Sequence, residues 1–199
     1  MTPDNIIYII IVIYSIILHE IAHGYIAKLC GDDTAERAGR LTLNPAPHID
    51  PIGSVLLPVI AVMSGTGVFG WAKGVPVNIY NLNGSKIKEF FVSAAGIVTN
   101  LLLATMFLLL IKFSVFPQVY NDLFLKIAIV NIGLGFFNLL PIPPFDGMSM
   151  LRAIFPSLKH KYQAFEHSPV AMIITILAAS YVFSFIYKDI IGFIFKVFF

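Results

Sequence analysis

His19 and His23 are the side chains of this sequence best suited to hold a metal ion, because they lie four residues apart in a long apolar run. If residues 6–29 form one α-helix, the two imidazoles share a face and lie about 6 Å apart along the axis. Such a pair can bind zinc, and Glu20 beside it is placed to accept a proton from a water molecule that the metal activates. The spacing predicts a hydrolytic zinc site; the alternative is two helix-surface histidines next to an acid.

The residues before the two histidines favour a functional site. Residues 6–18 contain only Ile, Tyr, Val, Ser and Leu. Ionisable side chains beside such a run are costly in a membrane and usually mark a function. The first five residues carry no positive charge, so we expect a retained transmembrane helix rather than a cleaved signal peptide.

The composition predicts an integral membrane protein, with the lipid bilayer as a partner. The chain of 199 residues is 58% hydrophobic and only 12% charged, and its mean hydropathy is +0.86. A soluble domain has about twice that charged fraction. The net charge of +2 and the scattered basic residues argue against a nucleic acid partner. Since no linker or repeat is visible, we expect a single domain over residues 1–199.

Apolar segments predict an all-α polytopic fold with about five transmembrane helices. The segments are residues 5–29, 52–69, 90–115, 123–140 and 170–187, and residues 190–199 are short enough to lie at the interface. Between the first and third segments, residues 37–44 alternate polar and apolar side chains, and residues 70–78 have extended character. We expect small membrane-associated β elements there, at least one of which offers a free edge to an unwound substrate.

A catalytic zinc site also needs a third protein ligand and an open coordination position. The candidates are Asp146, His48, Asp50, His160 and His167. Asp146 is favoured, because the prolines just before it preclude a regular helix and irregular backbone at membrane depth needs polar partners. Its alternative role is to cap a following helix.

Two further interpretations stay open at this stage. His48 and Asp50 lie in the loop that must return near the end of the first helix. Asn100 interrupts the third apolar segment. It either forms a hydrogen bond between helices or acts near the active site.

Two motifs together carry a family resemblance. His-Glu-Ile-Ala-His at 19–23, followed by Asn-Leu-Leu-Pro-Ile-Pro-Pro-Phe-Asp-Gly at 138–147, resembles the site-2 protease family of intramembrane zinc metalloproteases. Residues 39–53 and 69–78 resemble its short bacterial members, which lack a PDZ domain.

The resemblance implies one zinc ion held by His19, His23 and Asp146, with Glu20 as the general base. It also implies that Asn138 sits beside the scissile carbonyl, and that the stretches around Arg40 and Trp71 receive the substrate.

The resemblance and the motif predict a zinc-dependent endopeptidase whose partner is a transmembrane protein substrate, cut in or near its membrane segment. A metal-ion transporter would need several acidic or histidine side chains along one path. A pseudoprotease that only binds helices is an alternative, although Glu20 is present. A membrane hydroxylase or desaturase would need more than the five histidines of this chain.

Overall fold

The computed structural model describes residues 3–56, 71–158 and 169–198. These contain six α-helices: α1 Pro3–Leu29, α2 Thr34–Arg37, α3 Lys86–Lys112, α4 Asn121–Asn138, α5 Asp146–Ile154 and α6 Pro169–Phe198. Short 3₁₀ turns lie at Ala46–His48, Ile79–Leu82, Gln118–Tyr120 and Pro156–Leu158, and a wide helical turn lies at Pro51–Leu56.

Four helical segments are long and apolar enough to cross a membrane. They are Ile6–Leu29, Lys86–Lys112, Gln118–Asn138 and Ile173–Phe198. A bilayer core of about 30 Å needs about 20 helical residues, and each segment reaches that length. The prediction of an all-α polytopic membrane protein is confirmed. The second predicted segment, residues 52–69, lies mostly outside the described residues.

The predicted β elements are not found in the described residues, which contain no strand. Residues 37–40 use their backbone N–H groups in local turns, so the alternation of side chains there comes from turns rather than from a strand. Residues 71–78 are extended, but the N–H groups of Trp71, Lys73, Val75 and Asn78 bond to separate loops and side chains instead of a neighbouring strand. The expectation of a β element is therefore wrong for these residues, whereas a backbone edge offered to an unwound substrate stays a prediction.

The predicted interfacial segment at residues 190–199 also needs correction. Helix α6 continues through this region to Phe198 without interruption. Neither Gly nor Pro separates Tyr187 from Ile190, and the charged pair between them does not end the helix.

Helix α3 lies at the centre of the described bundle and packs against α1, α4 and α5. The turn before it has positive φ at Asn83 and Gly84, and Ser85 then caps its first turn by accepting the Lys88 N–H. Helix α3 has the most buried of the four candidate spans, whereas the α6 span is only 11% buried and mostly faces outward. The site lies where α3 meets α1 and α5.

Close backbone packing brings α5 to this point. The chain between α4 and α5 contains Pro141, Pro143 and Pro144 and is not helical. A Cβ atom on Gly147 would lie 2.5 Å from the Leu139 carbonyl carbon, so only glycine permits this return of the chain. Asp146, the first residue of α5, is thereby fixed against the end of α4.

A second glycine sets the approach of α3 to α1. A Cβ atom on Gly96 would overlap the rings of His19 and His23, coming within 2.5 Å of both Nε2 atoms. Each ring is also hydrogen-bonded through its Nδ1 atom, His19 to Asn100 and His23 to the Val92 carbonyl. The rings therefore have little freedom to move away.

The Gly96→Ala substitution is expected to lower the free energy of unfolding by about 1–3 kcal/mol, because the added methyl group overpacks a buried contact. Thermal unfolding in detergent micelles measures this change. Gly192→Ala is the matched control, since nothing lies within 4 Å of a Cβ atom there. An unchanged melting temperature for Gly96→Ala would contradict the close approach of α3 to α1.

Candidate metal centre

Helices α1 and α5 bring three potential ligand atoms together. The Nε2 atoms of His19 and His23 lie 3.1 Å apart. The Oδ2 atom of Asp146 lies 3.1 Å from the first and 3.2 Å from the second. Both histidines are buried, with 6% and 8% of their surface exposed. The structure thus brings these three residues into one group, although His19 and Asp146 are 127 residues apart in sequence.

The dimensions of this group fit zinc. Zinc binds His nitrogen and carboxylate oxygen at about 2.0–2.2 Å, so the ligand atoms of a tetrahedral site lie about 3.3 Å apart. The three observed separations of 3.1–3.2 Å are close to that value. Gly96 leaves the adjoining space without a side chain, at a point within 2.5 Å of both Nε2 atoms. The residues present can therefore hold a zinc ion.

Hydrogen bonds decide which nitrogen of each ring faces this space. His23 Nδ1 lies 2.7 Å from the Val92 carbonyl oxygen, and His19 Nδ1 lies 2.6 Å from Asn100 Oδ1. Both oxygens only accept hydrogen bonds, so each Nδ1 carries its hydrogen and each neutral ring presents an Nε2 lone pair. Metal-binding histidines are commonly held in this way.

A buried chain of amides fixes the orientation of the Asn100 group. The Ile127 carbonyl accepts a hydrogen bond from Asn131 Nδ2, and Asn131 Oδ1 accepts one from Asn100 Nδ2 at 2.8 Å. Because the Asn100 Nδ2 group faces Asn131, the Asn100 Oδ1 atom faces His19. Ser15 Oγ accepts a further bond from Asn131 at 2.9 Å. Asn100 therefore does both things that the sequence left open: it bonds between helices and it orients a site histidine.

The third group of the cluster is the Asp146 carboxylate. Its Oδ2 atom is buried and has no hydrogen-bond donor among the described residues. Because both facing Nε2 atoms carry lone pairs, this oxygen is suited to bind a metal ion.

Glu20 lies beside the group and opens onto a cavity. Its Oε2 atom accepts a hydrogen bond from the Val75 backbone N–H at 2.8 Å. Glu20, His23 and Asp146 all line a cavity of about 500 Å³, together with apolar residues such as Val77, Leu82 and Val92. A cavity of this size and mixed lining is typical of ligand sites.

The other predicted ligand candidates point elsewhere or lie outside the described residues. His48 is buried with its Nε2 atom 3.0 Å from the Thr42 carbonyl oxygen. Asp50 Oδ1 accepts the backbone N–H groups of Ile52 and Gly53, as in a helix cap. Neither belongs to the cluster. His160 and His167 fall in residues 159–168, outside the described part.

Asn138 is the last residue of α4, and its amide donates to the Leu134 carbonyl at 2.9 Å. Among the described residues it has no hydrogen bond to His19, His23 or Asp146. Its place beside a scissile carbonyl therefore stays a prediction.

Several functional positions were not expected from the sequence. Ser15 and Asn131 are polar residues within apolar spans, which is a recognisable signal. Gly96 belongs to a small-residue stretch and carried only a weak packing signal. The contact of Val75 with Glu20 is made by a backbone N–H group, so the residue type at position 75 gives no sequence signal for it.

Comparison with known proteins supports a metalloprotease. The family model described as Peptidase family M50 matches residues 118–182, which include Asp146. The "Putative zinc metalloprotease YwhC" of Bacillus subtilis (strain 168) is 40% identical over 157 residues, covering 74% of this chain and 68% of YwhC.

Two mycobacterial relatives are more distant. Proteins named "Putative zinc metalloprotease Rip2" from Mycolicibacterium smegmatis and Mycobacterium tuberculosis (strain ATCC 25618 / H37Rv) are 33% and 31% identical over 140 and 141 residues. The matches cover 69% of this chain and 52% of each relative, so the chain spans about half their length. No solved structure matches the chain significantly.

The alignment with YwhC covers more than two thirds of both proteins. The two histidine side chains and the aspartate side chain lie at distances that suit zinc binding. The four apolar helices are typical of a multi-pass membrane protein. The chain belongs to peptidase family M50, the site-2 proteases, and is a multi-pass membrane zinc metalloprotease.

Proposed function

We propose that this chain is an intramembrane endopeptidase that hydrolyses peptide bonds in or near the transmembrane segments of membrane proteins. The observation that carries the proposal is the position of the cluster within α1. His19 lies ten residues before the Leu29 end of an apolar span, which corresponds to about 15 Å along the helix. A peptide bond that reaches this cluster must therefore enter the apolar layer of the bundle.

The proposed ligands are His19, His23 and Asp146, holding one zinc ion per chain. When bound, zinc supplies Lewis-acid activation of water and of the peptide carbonyl. Glu20 is the proposed general base. Because the Val75 N–H occupies its Oε2 atom, its Oε1 atom is the oxygen left to accept the water proton. Glu20 then returns this proton to the leaving amine.

Asn138 is the proposed donor to the developing oxyanion. Its amide has two hydrogens, and the Leu134 carbonyl accepts a bond from this group at the end of α4. The second hydrogen can serve a substrate carbonyl. Donors placed where charge develops in the transition state contribute strongly to the rate.

The proposed substrate is a locally unwound transmembrane segment. Helical carbonyls are bonded within the helix and shielded, so a segment must open before attack. The cavity combines apolar side chains with Glu20, Ser149 and Arg152, and it can accommodate both apolar side chains and an exposed backbone. The lipid bilayer is the second proposed partner.

The metal assignment makes a direct prediction. Asp146→Ala and His23→Ala are each expected to deplete zinc strongly, because each removes one of three converging ligands. Metal analysis of detergent-purified protein measures the zinc content. Asp50→Asn is the control, since Asp50 lies outside the cluster. Stoichiometric zinc in Asp146→Ala would contradict the assignment.

Glu20→Gln is expected to keep the fold and the zinc but to lose cleavage by about 10²–10⁴-fold, because only the general base is removed. Proteoliposomes that contain the enzyme and a transmembrane substrate allow cleavage and zinc flux to be followed together. Glu36→Gln, which alters an exposed ion pair with Lys28, is the control. Zinc flux without cleavage in the wild type would favour a transporter, and cleavage by Glu20→Gln at the wild-type rate would show that Glu20 is not the base.

Asn138→Ala is expected to lower turnover about 10²-fold with the zinc content unchanged, as for a lost oxyanion donor. Turnover, zinc content and melting temperature are measured on one preparation. Asn121→Ala, at the opposite end of α4, is the control. If zinc or thermal stability falls along with turnover, Asn138 instead has the structural role of ending α4.

A further inference from the structure

We propose that Arg40 is a positioning residue for Glu20 and acts on it through the peptide group between Gly74 and Val75. This inference rests on the proposed role of Glu20 as general base. It assigns a function to Arg40 and to residues 71–78, which do not belong to the metal cluster.

Arg40 is a buried cation whose guanidinium points at backbone carbonyls. Only 6% of its surface is exposed. Its Nη2 atom donates to the Lys73 carbonyl at 2.5 Å and to the Gly74 carbonyl at 3.3 Å. In the described part of the chain, no carboxylate lies within ion-pair distance of Arg40. Burial of a cation is costly, so these two carbonyl dipoles are the principal compensation that the described residues offer.

The same peptide group contacts Arg40 at one end and Glu20 at the other. The Gly74 carbonyl accepts from Arg40, and the Val75 N–H donates to Glu20 Oε2 at 2.8 Å. A peptide group is planar, so its carbonyl and its N–H turn together. A cation on the oxygen side and an anion on the N–H side both favour one orientation of this plane. Arg40 therefore sets the direction of the hydrogen bond that holds Glu20.

The rest of the segment is anchored on both sides of this peptide. The Trp71 N–H donates to the Gly53 carbonyl and the Lys73 N–H donates to the His48 carbonyl. Beyond Val75, the Asn78 N–H donates to Asp32 Oδ2 at 2.7 Å. The anchors fix where the segment runs, and Arg40 fixes how its central peptide is turned.

As a consequence, one oxygen of the proposed general base, Glu20 Oε2, is held by a hydrogen bond. A carboxylate on a flexible side chain samples several rotamers, and one hydrogen bond to Oε2 limits them. Misplacement of a catalytic group by about 1 Å can cost about 10²-fold in rate. Loss of Arg40 is therefore expected to act on the chemical step rather than on substrate binding.

The test compares Arg40→Met and Arg40→Lys with wild type in proteoliposomes that contain a transmembrane substrate. The measurements are kcat, KM, zinc content and acrylamide quenching of tryptophan fluorescence. Trp71 is the single tryptophan of the chain, so the fluorescence reports on this segment directly. Arg37→Met is the matched control, because Arg37 forms a surface ion pair with Asp33 and has a 77% exposed side chain.

Arg40→Met is expected to lower kcat about 10- to 100-fold with KM and zinc content unchanged. Quenching of Trp71 should increase, since the segment loses its clamp. Arg40→Lys should recover part of kcat, because an ammonium group can still donate to the carbonyls. Arg37→Met should leave all four measurements at their wild-type values.

Val75→Pro provides an independent route, because it removes the N–H donor and leaves Arg40 in place. Its loss of kcat should match that of Arg40→Met, and the double variant should be no worse than the more impaired single variant. If Arg40→Met does not fold, Val75→Pro decides the question: reduced kcat with normal zinc supports the proposal, and wild-type kcat overturns it.

Other outcomes would also overturn the proposal. A raised KM with unchanged kcat would make the segment a substrate contact, and additive losses in the double variant would separate Arg40 from Val75. Failure of the proposed function would look different, because Glu20→Gln would then cleave as well as wild type. A wild-type kcat for Arg40→Met beside an inactive Glu20→Gln would reject this inference alone.

Discussion

The structure depends on the convergence of two imidazole nitrogens and one carboxylate oxygen within 3.2 Å of one another. With each neutral ring presenting a lone pair, the three atoms repel unless a cation lies among them. A bound zinc ion would meet that requirement. The need to bring these atoms together explains the glycine at position 96, which clears the space, and the break between α4 and α5, which delivers Asp146.

A second constraint comes from the apolar surroundings. A polar group without a hydrogen-bond partner costs several kcal/mol in the membrane. The amide chain from His19 through Asn100 to Asn131 meets this demand by ending on the Ile127 backbone carbonyl. His23 ends on the Val92 carbonyl in the same way. The Nδ1 atom of each histidine therefore has a hydrogen-bond partner, and both partners lie on α3.

The loops outside the four spans complete the site. Residues 71–78 lie across Glu20, held by residues 40–54 and by Asp32. Several hydrogen bonds from Thr34, Asn78 and Asn81 lower the pKa of Asp32 despite its burial, which keeps this anchor ionised. The proposed base of the reaction thus depends on loop contacts as much as on the helix that bears it.

The sequence by itself determined the membrane class and the pairing of His19 with His23, because composition and helical spacing are local properties. The proline break favoured Asp146 among five candidates for the third ligand, and the family resemblance completed the set. The sequence did not determine the Asn100 contact with His19, 81 residues away, or the Val75 contact with Glu20, 55 residues away. Only tertiary packing decides such contacts. The mistaken strand at residues 37–44 has the same cause: polar and apolar residues also alternate in a turn, and backbone hydrogen bonds alone distinguish the two.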